Sequence, residues 1–307
     1  MKTEMFQKPT WMKKGKYLVT SELFLDVIFT SKCNCNCPFC ISKTKEYARE
    51  EFQFWREGLE KAFSSFLIRN VIILGGEATI DPLFWEKLEC LENFVDRSKT
   101  DHIILTTNGI ALRKESFLDR ICSSAIDSVN LSYMHYDKSV NDTIFSNKTL
   151  SRDEIKHIFL SLRKAGKTLR LNTNIYKGNL DTVGEMESFV RYFTGCCDTI
   201  KFSPLMATDM FDTVDSVTRY TQNVSIPDDE IRIIYDAFVQ RHKKNREAHN
   251  VLGFVDYCEL DVFDQNVLLK YAQVEDKYNR DTVIPTLKLY PNGNLSNEWD
   301  FKKNIEV

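Results

Sequence analysis

At 307 residues, with 43% hydrophobic and 28% charged residues, the chain has the length and composition of one large domain or a domain with an appendage, not a disordered protein. Its 41 Lys and Arg against 44 Asp and Glu give a net charge of -3, which excludes a protein that coats nucleic acid by neutralising phosphates.

The first residues, "MKTEMFQKPTWMKKGKYLVT", hold no unbroken apolar core of a secretory signal. No apolar run approaches the roughly 20 residues that span a bilayer. A cytoplasmic protein with no membrane partner is expected, and there a cysteine cluster means metal or catalysis rather than disulfides.

Short apolar runs then alternate with helical periods. Strands are expected at 23–29, 71–74, 102–107, 127–133, 168–175 and 199–203, rich in Val, Ile and Leu and mostly closed by Gly, Asn or Ser. Between them, Phe52, Trp55, Leu59, Phe63 and Phe66 step by three and four, as do Phe84, Leu88, Leu91 and Val95. Ser151 and Glu154 have capping-box spacing ahead of Ile155, Ile158, Phe159 and Leu162, and Val183, Met186, Val190 and Phe193 form a further helical stripe. Alternating βα units imply a parallel sheet with right-handed crossovers. Six units suit a partial (β/α)6 TIM-like barrel or an open doubly wound sheet, and either places ligands at the C-terminal strand ends.

From about residue 207 the rhythm is lost. A polar stretch leads into a helix built on Ile231, Ile234, Tyr235 and Phe238, and "PNG" (291–293) predicts a terminal hairpin. The tail's apolar groups, Phe254, Tyr257, Leu260, Phe263, Leu268, Leu269, Leu287, Leu289 and Leu295, need a surface to bury against. The expected domains are an N-terminal extension (1–20), a core (21–210) and a C-terminal extension (211–307) that covers the barrel opening.

Directly after the first core strand comes "FTSKCNCNCPFC" (29–40), with four of the chain's nine cysteines in eight positions. Core cysteines would be spread at core periodicity, not packed beside Asn, Pro and Ser. A structural zinc site uses two Cys pairs separated by a longer loop. A redox dithiol needs one CxxC and leaves two thiols unexplained. An iron–sulfur cluster suits the spacing better: Cys33, Cys37 and Cys40 bind three irons, the fourth iron stays open, and Cys35 is a non-ligand. At the end of the next strand, "LGGEAT" (74–79) places Gly75 and Gly76 where a ligand can approach the backbone and Glu77 where a cation can be accepted.

This pair of motifs resembles the radical S-adenosylmethionine enzymes, down to aromatic Phe39 before the last Cys, although Ala78 stands where the family has Pro. The resemblance covers about residues 20 to 210. Within it, "LTTNG", "VNLSY", "LRLNTNIYKG" and "KFSPLMAT" match best the branch that contains the molybdenum-cofactor GTP cyclase. It implies one [4Fe–4S] cluster on Cys33, Cys37 and Cys40. It also implies S-adenosylmethionine held by Phe39, Gly75, Gly76, Glu77, Ser132, Asn172 and Met206, the last equally readable as a core methionine. A one-electron reductant such as flavodoxin or ferredoxin is implied as a partner.

Two arginines that the cyclase uses on GTP fall at Asp26 and Ile72, and a carboxylate and an aliphatic cannot clasp a triphosphate. Of the substrate-facing positions, Thr107 and Arg170 keep suitable chemistry, and His135 is a candidate acid or base. Only Cys258 follows Cys197, so the tail alone cannot hold a second cluster. The expected function is cleavage of S-adenosylmethionine to a 5'-deoxyadenosyl radical that takes hydrogen from a small molecule or nucleotide. The alternatives are modification of a peptide, or a non-enzymatic metal-binding protein.

Overall fold

The computed structural model describes residues 11–44, 50–207, 216–242, 247–251, 255–273, 283–297, 299 and 304–305. Phe254 lies outside them. The chain runs β1 (Trp11–Lys14), β2 (Tyr17–Ile28), α1 (Phe52–Ser65), β3 (Asn70–Leu74), α2 (Phe84–Phe94), β4 (His102–Thr107), α3 (Glu115–Ser123), β5 (Ser128–Ser132), α4 (Lys138–Phe145), α5 (Arg152–Lys164), β6 (Thr168–Ile175), α6 (Val183–Phe193) and β7 (Thr199–Pro204). It continues through α7 (Ser216–Val224), α8 (Asp228–Arg241), β8 (Glu247–Val251), β9 (Val255–Val262), β10 (Gln265–Gln273), β11 (Val283–Leu289) and β12 (Leu295–Ser296).

The six expected strands form the parallel run β2–β3–β4–β5–β6–β7, and β1 folds back on β2. The first begins earlier than expected, at Tyr17, because pairing of Tyr17 through Thr20 with β1 holds the chain extended ahead of the apolar run, across polar Thr20 and Ser21. Strand parity divides the sheet's two faces. On β6, Leu169, Leu171, Thr173 and Ile175 are buried against the helices, while Arg170, Asn172 and Asn174 point to the other, half-buried face. Trp55, Phe84, Phe159, Phe189 and Phe193 fill the layer between sheet and helices. The main core thus lies between sheet and helices, and the other, inner face mixes polar side chains such as Arg170, Asn172 and Lys201 with apolar ones such as Ile72 and Ile104.

The expected capping box forms at Ser151 and Glu154 and fixes the start of α5. Helices α3, α4 and α7 are short, with 9, 8 and 9 residues, too few for a clear period in the sequence.

The tail joins the sheet at both sides. β10 pairs parallel with β7, and β11 pairs parallel with β2. β9 and β8 extend the first side as an antiparallel meander, and β12 ends the other as the hairpin partner of β11. The sheet does not close, since β12 and β8 end the order. Leu287, Leu289 and Leu295 of the hairpin are fully buried, and its turn at Gly293 (φ +85°) lies against α1, where a side chain on Gly58 would overlap the Gly293 carbonyl. Among the described residues no helix is long and apolar enough to cross a membrane.

Candidate active site

The cysteine loop leaves the end of β2 and is sewn to the neighbouring strand ends. Gly76 N–H donates to Thr30 O at 2.7 Å and Glu77 N–H to Lys32 O at 2.8 Å. A Cβ on Gly75 would overlap the Thr30 carbonyl, and one on Gly76 the carbonyls of Ser31 and Lys32. The two glycines therefore admit the loop's own backbone, a use that their residue type alone does not distinguish from ligand approach.

Glu77 is buried and works as a clasp between β3 and β4. Its Oε1 accepts Thr79 N–H at 3.2 Å, Thr79 Oγ1–H at 2.6 Å and Thr107 Oγ1–H at 2.7 Å, and its Oε2 accepts Asn108 N–H at 2.6 Å. Burial pushes its carboxyl pKa up, against the pull of these donors down. Thr107 also accepts Gly109 N–H, so its hydroxyl is held within the clasp rather than turned to the inner face.

Asn108 extends the clasp to the loop. Its amide donates to Asn34 Oδ1 at 2.7 Å and to Cys35 Sγ at 3.4 Å. From the far side, Asn147 donates to Asn34 O at 2.7 Å and Asn36 N–H to Phe145 O at 2.9 Å. Beneath it, Lys87 donates to Asp81 at 2.6 Å and to Phe29 O at 2.5 Å, tying α2 to the end of β2.

The four loop cysteines are free thiols and fall into two kinds. Cys35 donates its backbone N–H to Cys33 Sγ at 3.3 Å, and hydrogen bonding from Cys35 brings the Cys33 thiol down to about 7. Cys37 is buried in an apolar satellite with Met134 and Phe145, against which Cys40 and Phe39 pack, and burial together with the Cys40 and Cys33 charges pushes it up to about 12. Among the described residues no three Cys, His, Asp or Glu side chains converge on one metal-ion position. A single ion needs its sulfurs within about 2.3 Å of one point, whereas a four-iron cluster takes each thiolate on a different iron. Three free thiols on one anchored loop, backed by an apolar pocket and by amide donors, fit the expected cluster.

The remaining expected residues lie at neighbouring strand ends. Ser132 and Asn172 pair side by side on β5 and β6, and Arg170 Nε donates to Asn172 Oδ1 at 3.0 Å. The Phe39 ring packs at 5.9 Å from Tyr176, past the end of β6. Met206, just past β7, is 50% exposed and so is not a core methionine. His135 is half-buried, stacks on Tyr136 at 4.4 Å, and accepts Asp137 N–H on Nδ1 at 2.9 Å. Cys196, Cys197 and Cys258 are buried in the main core.

Sequence reasoning missed Asn34, Asn108 and Asn147, whose roles depend on contacts across the fold. It also overlooked Lys201 on β7 and Lys270 on β10, which are half-buried, although a lysine inside a short apolar strand was a visible signal for each.

Comparison with known proteins bears on the family and the fold. GTP 3',8-cyclase of Aquifex aeolicus is 25% identical over 192 residues, covering 59% of this chain and 56% of the relative. That of Rhodopseudomonas palustris is 23% identical over 56% of this chain and 49% of the relative, so the chain spans about half the length of these curated relatives. Among solved structures, Streptococcus suis SuiB bound to S-adenosylmethionine superposes with a TM-score of 0.58 at 16% identity, over 92% of this chain and 61% of that one. The model of the radical SAM superfamily matches residues 27–193, more than half of the sequence, and the protein belongs to that superfamily.

Proposed function

We propose that the chain cleaves S-adenosylmethionine reductively at a [4Fe–4S] cluster on Cys33, Cys37 and Cys40, and directs the resulting radical at a small-molecule or nucleotide substrate on the inner face of the sheet. The observation that carries this is the hydrogen-bonded join between the cysteine loop and the Gly75–Gly76–Glu77 segment, which fixes thiols and carboxylate at adjacent strand ends. When bound, the cluster supplies the electron that breaks the sulfonium of S-adenosylmethionine and releases a 5'-deoxyadenosyl radical.

The chain's own residues bind and orient. Glu77 offers its Oε2, which has one protein donor, to the methionine ammonium, beside the backbone of Gly75 and Gly76. Ser132, Asn172, Met206 and Phe39 line the neighbouring strand ends and hold the nucleoside. Thr107 keeps Glu77 in place, Arg170 faces the substrate from β6, and His135 stands at the rim after β5. The tail strands β10 and β11 widen the sheet on both sides and screen this face from water and stray hydrogen donors.

Anaerobic reconstitution tests the assignment. About four irons per chain are expected, retained in Cys35→Ala and lost in Cys33→Ala, Cys37→Ala or Cys40→Ala. About eight irons, or loss in the Cys35 variant, contradicts it. SuiB has also been solved with its precursor peptide SuiA, a likeness of fold that keeps a peptide substrate as the second reading. Deuterium transfer into 5'-deoxyadenosine from labelled candidate substrates separates the two.

A further inference from the structure

Three cationic side chains meet on the inner face where the tail joins the core. Arg170 lies on β6, Lys201 on β7 and Lys270 on β10. The register sets Asn172, Lys201 and Leu268 side by side, so Arg170 is one inward position before that row and Lys270 one after it. Tyr257 on β9 pairs with Lys270, and its ring lies 5.4 Å from Lys201 Nζ. All four residues are half-buried on this face.

None of the three cations has an ion pair among the described residues. A carboxylate on this face, Glu259, pairs with Leu268 and stands one inward position from Tyr257. Arg170 bonds Asn172 through Nε alone, and its two terminal amino groups have no protein acceptor among the described residues. Burial pushes the Lys201 ammonium down, and Arg170 and Lys270 push it further; burial does the same to Lys270. Burial raises the Tyr257 phenol, which stays a neutral donor and supplies no counter-charge.

Lysines can escape such a site by losing a proton, but a guanidinium cannot. A protein that gathers Arg170 with two lysines in a desolvated wall, with no carboxylate paired to them among the described residues, leaves a site that an external anion completes. The charge selects its kind. A monocarboxylate brings one negative charge, whereas a phosphate ester brings about two and a diphosphate more, with oxygens that match the open side of an arginine fork.

We propose that Arg170, Lys201 and Lys270, with Tyr257 as a neutral donor, bind a phosphate group of the substrate, which is therefore a phosphorylated small molecule or nucleotide. The proposal rests on the inner face being the substrate cavity. It places the phosphate at the β6–β7–β10 side, with the rest of the substrate extending toward the cysteine loop after β2.

The test is titration of the reconstituted full chain with inorganic pyrophosphate at fixed ionic strength, by calorimetry. Saturable binding at one site is expected. Arg170→Met and Lys201→Met should each weaken it at least about tenfold, the scale of one lost charge-assisted contact, while Lys164→Met on the exposed face of α5 should not. Thermal midpoints give a second readout. Without anion, Lys201→Met should raise the midpoint by relieving repulsion, and pyrophosphate should raise the wild-type midpoint but not the variant's. No saturable binding, equal binding by the variants, a lower midpoint in anion-free Lys201→Met, or malonate binding as tightly as pyrophosphate would each overturn the proposal. Formation of 5'-deoxyadenosine without substrate is measured in parallel. Its persistence alongside failed pyrophosphate binding rejects the phosphate site and leaves the proposed function standing.

Discussion

Glu77 and Asn108 bind the ends of β3 and β4 together: Glu77 Oε2 accepts the Asn108 backbone N–H at 2.6 Å, while the Asn108 side chain reaches on to Asn34 in the cysteine loop. A family motif is thereby also a structural joint. The carboxylate proposed to face the methionine ammonium also orients the loop that carries the thiols.

Glu77→Gln tests the joint. Glutamine has the same size but one oxygen acceptor, and its NH2 group must then face either the Asn108 N–H or the Thr79 and Thr107 donors. A buried donor left unpaired costs about 1–3 kcal/mol. Chemical denaturation of the iron-free chain should show a loss in that range, with weaker S-adenosylmethionine binding after reconstitution. Unchanged stability would mean that the four hydrogen bonds contribute nothing to holding the strand ends.

Gly76→Ala separates loop packing from ligand contact. The added methyl overlaps backbone carbonyls of Ser31 and Lys32, which cannot rotate away as a side chain would. Overpacking of this kind costs about 1–3 kcal/mol. Stability and iron retention should both fall, even with S-adenosylmethionine absent. Gly184→Ala in α6 is the control, because nothing lies within 4 Å of the new Cβ and alanine favours the helix. Iron retention in Gly76→Ala equal to that of the control would show that the loop tolerates displacement.

GTP is not expected to be cyclised. Asp26 is buried on the inner face, with Ile72 beside it on β3 and Lys288 on β11. Burial raises its carboxyl pKa and Lys288 opposes that shift, so whether ionised or protonated it presents oxygen, not a cation, to a triphosphate. Inner-face cations with no ion pair among the described residues lie instead on β6, β7 and β10, where a nucleotide would bind by its phosphates in a different orientation. Anaerobic incubation with GTP and S-adenosylmethionine should yield 5'-deoxyadenosine without the cyclised nucleotide. Recovery of that nucleotide would refute this account of Asp26 and Ile72.

The parts legible in the sequence are those written locally. Cys33, Cys37 and Cys40 fall within one loop, and the strands around Val71, Leu105, Leu131 and Leu171 are short runs, most of them rich in Val, Ile and Leu. The destination of the tail was not legible. β10 and β11 are parallel partners of β7 and β2, and the period-two spacing of apolar Val267 and Leu269 says which face of a strand is buried, not which edge it joins. The basic wall was hidden for the same reason: positions 170, 201 and 270 are far apart in the chain and meet only through strand register.

The basic wall also sets a pH dependence, with a sign fixed by its chemistry. The native Lys201 ammonium has a pKa well below the ordinary 10.5, first through burial and then through Arg170 and Lys270. Between the native value and 10.5, the unfolded chain holds a proton at this position that the native chain has lost. Stability therefore rises with pH across that window, and the full penalty is present below the native value. Lys270, also lowered by burial, acts with the same sign. Tyr257 acts with the opposite sign, but only above its ordinary 10.0, so measurements are confined below that pH. The stability advantage of Lys201→Met over wild type should be largest at the acid end and shrink as pH rises, and Lys201→Met with Lys270→Met should flatten the slope further. Pyrophosphate needs the charged ammonium, so its affinity should fall as pH rises through the native Lys201 value and lose that dependence in Lys201→Met. Urea denaturation and calorimetry at matched ionic strength, stepped upward from about pH 6, give both slopes. A stability difference that grows with pH, or an affinity that does not change, would show that Lys201 is not held in a wall of unpaired cations.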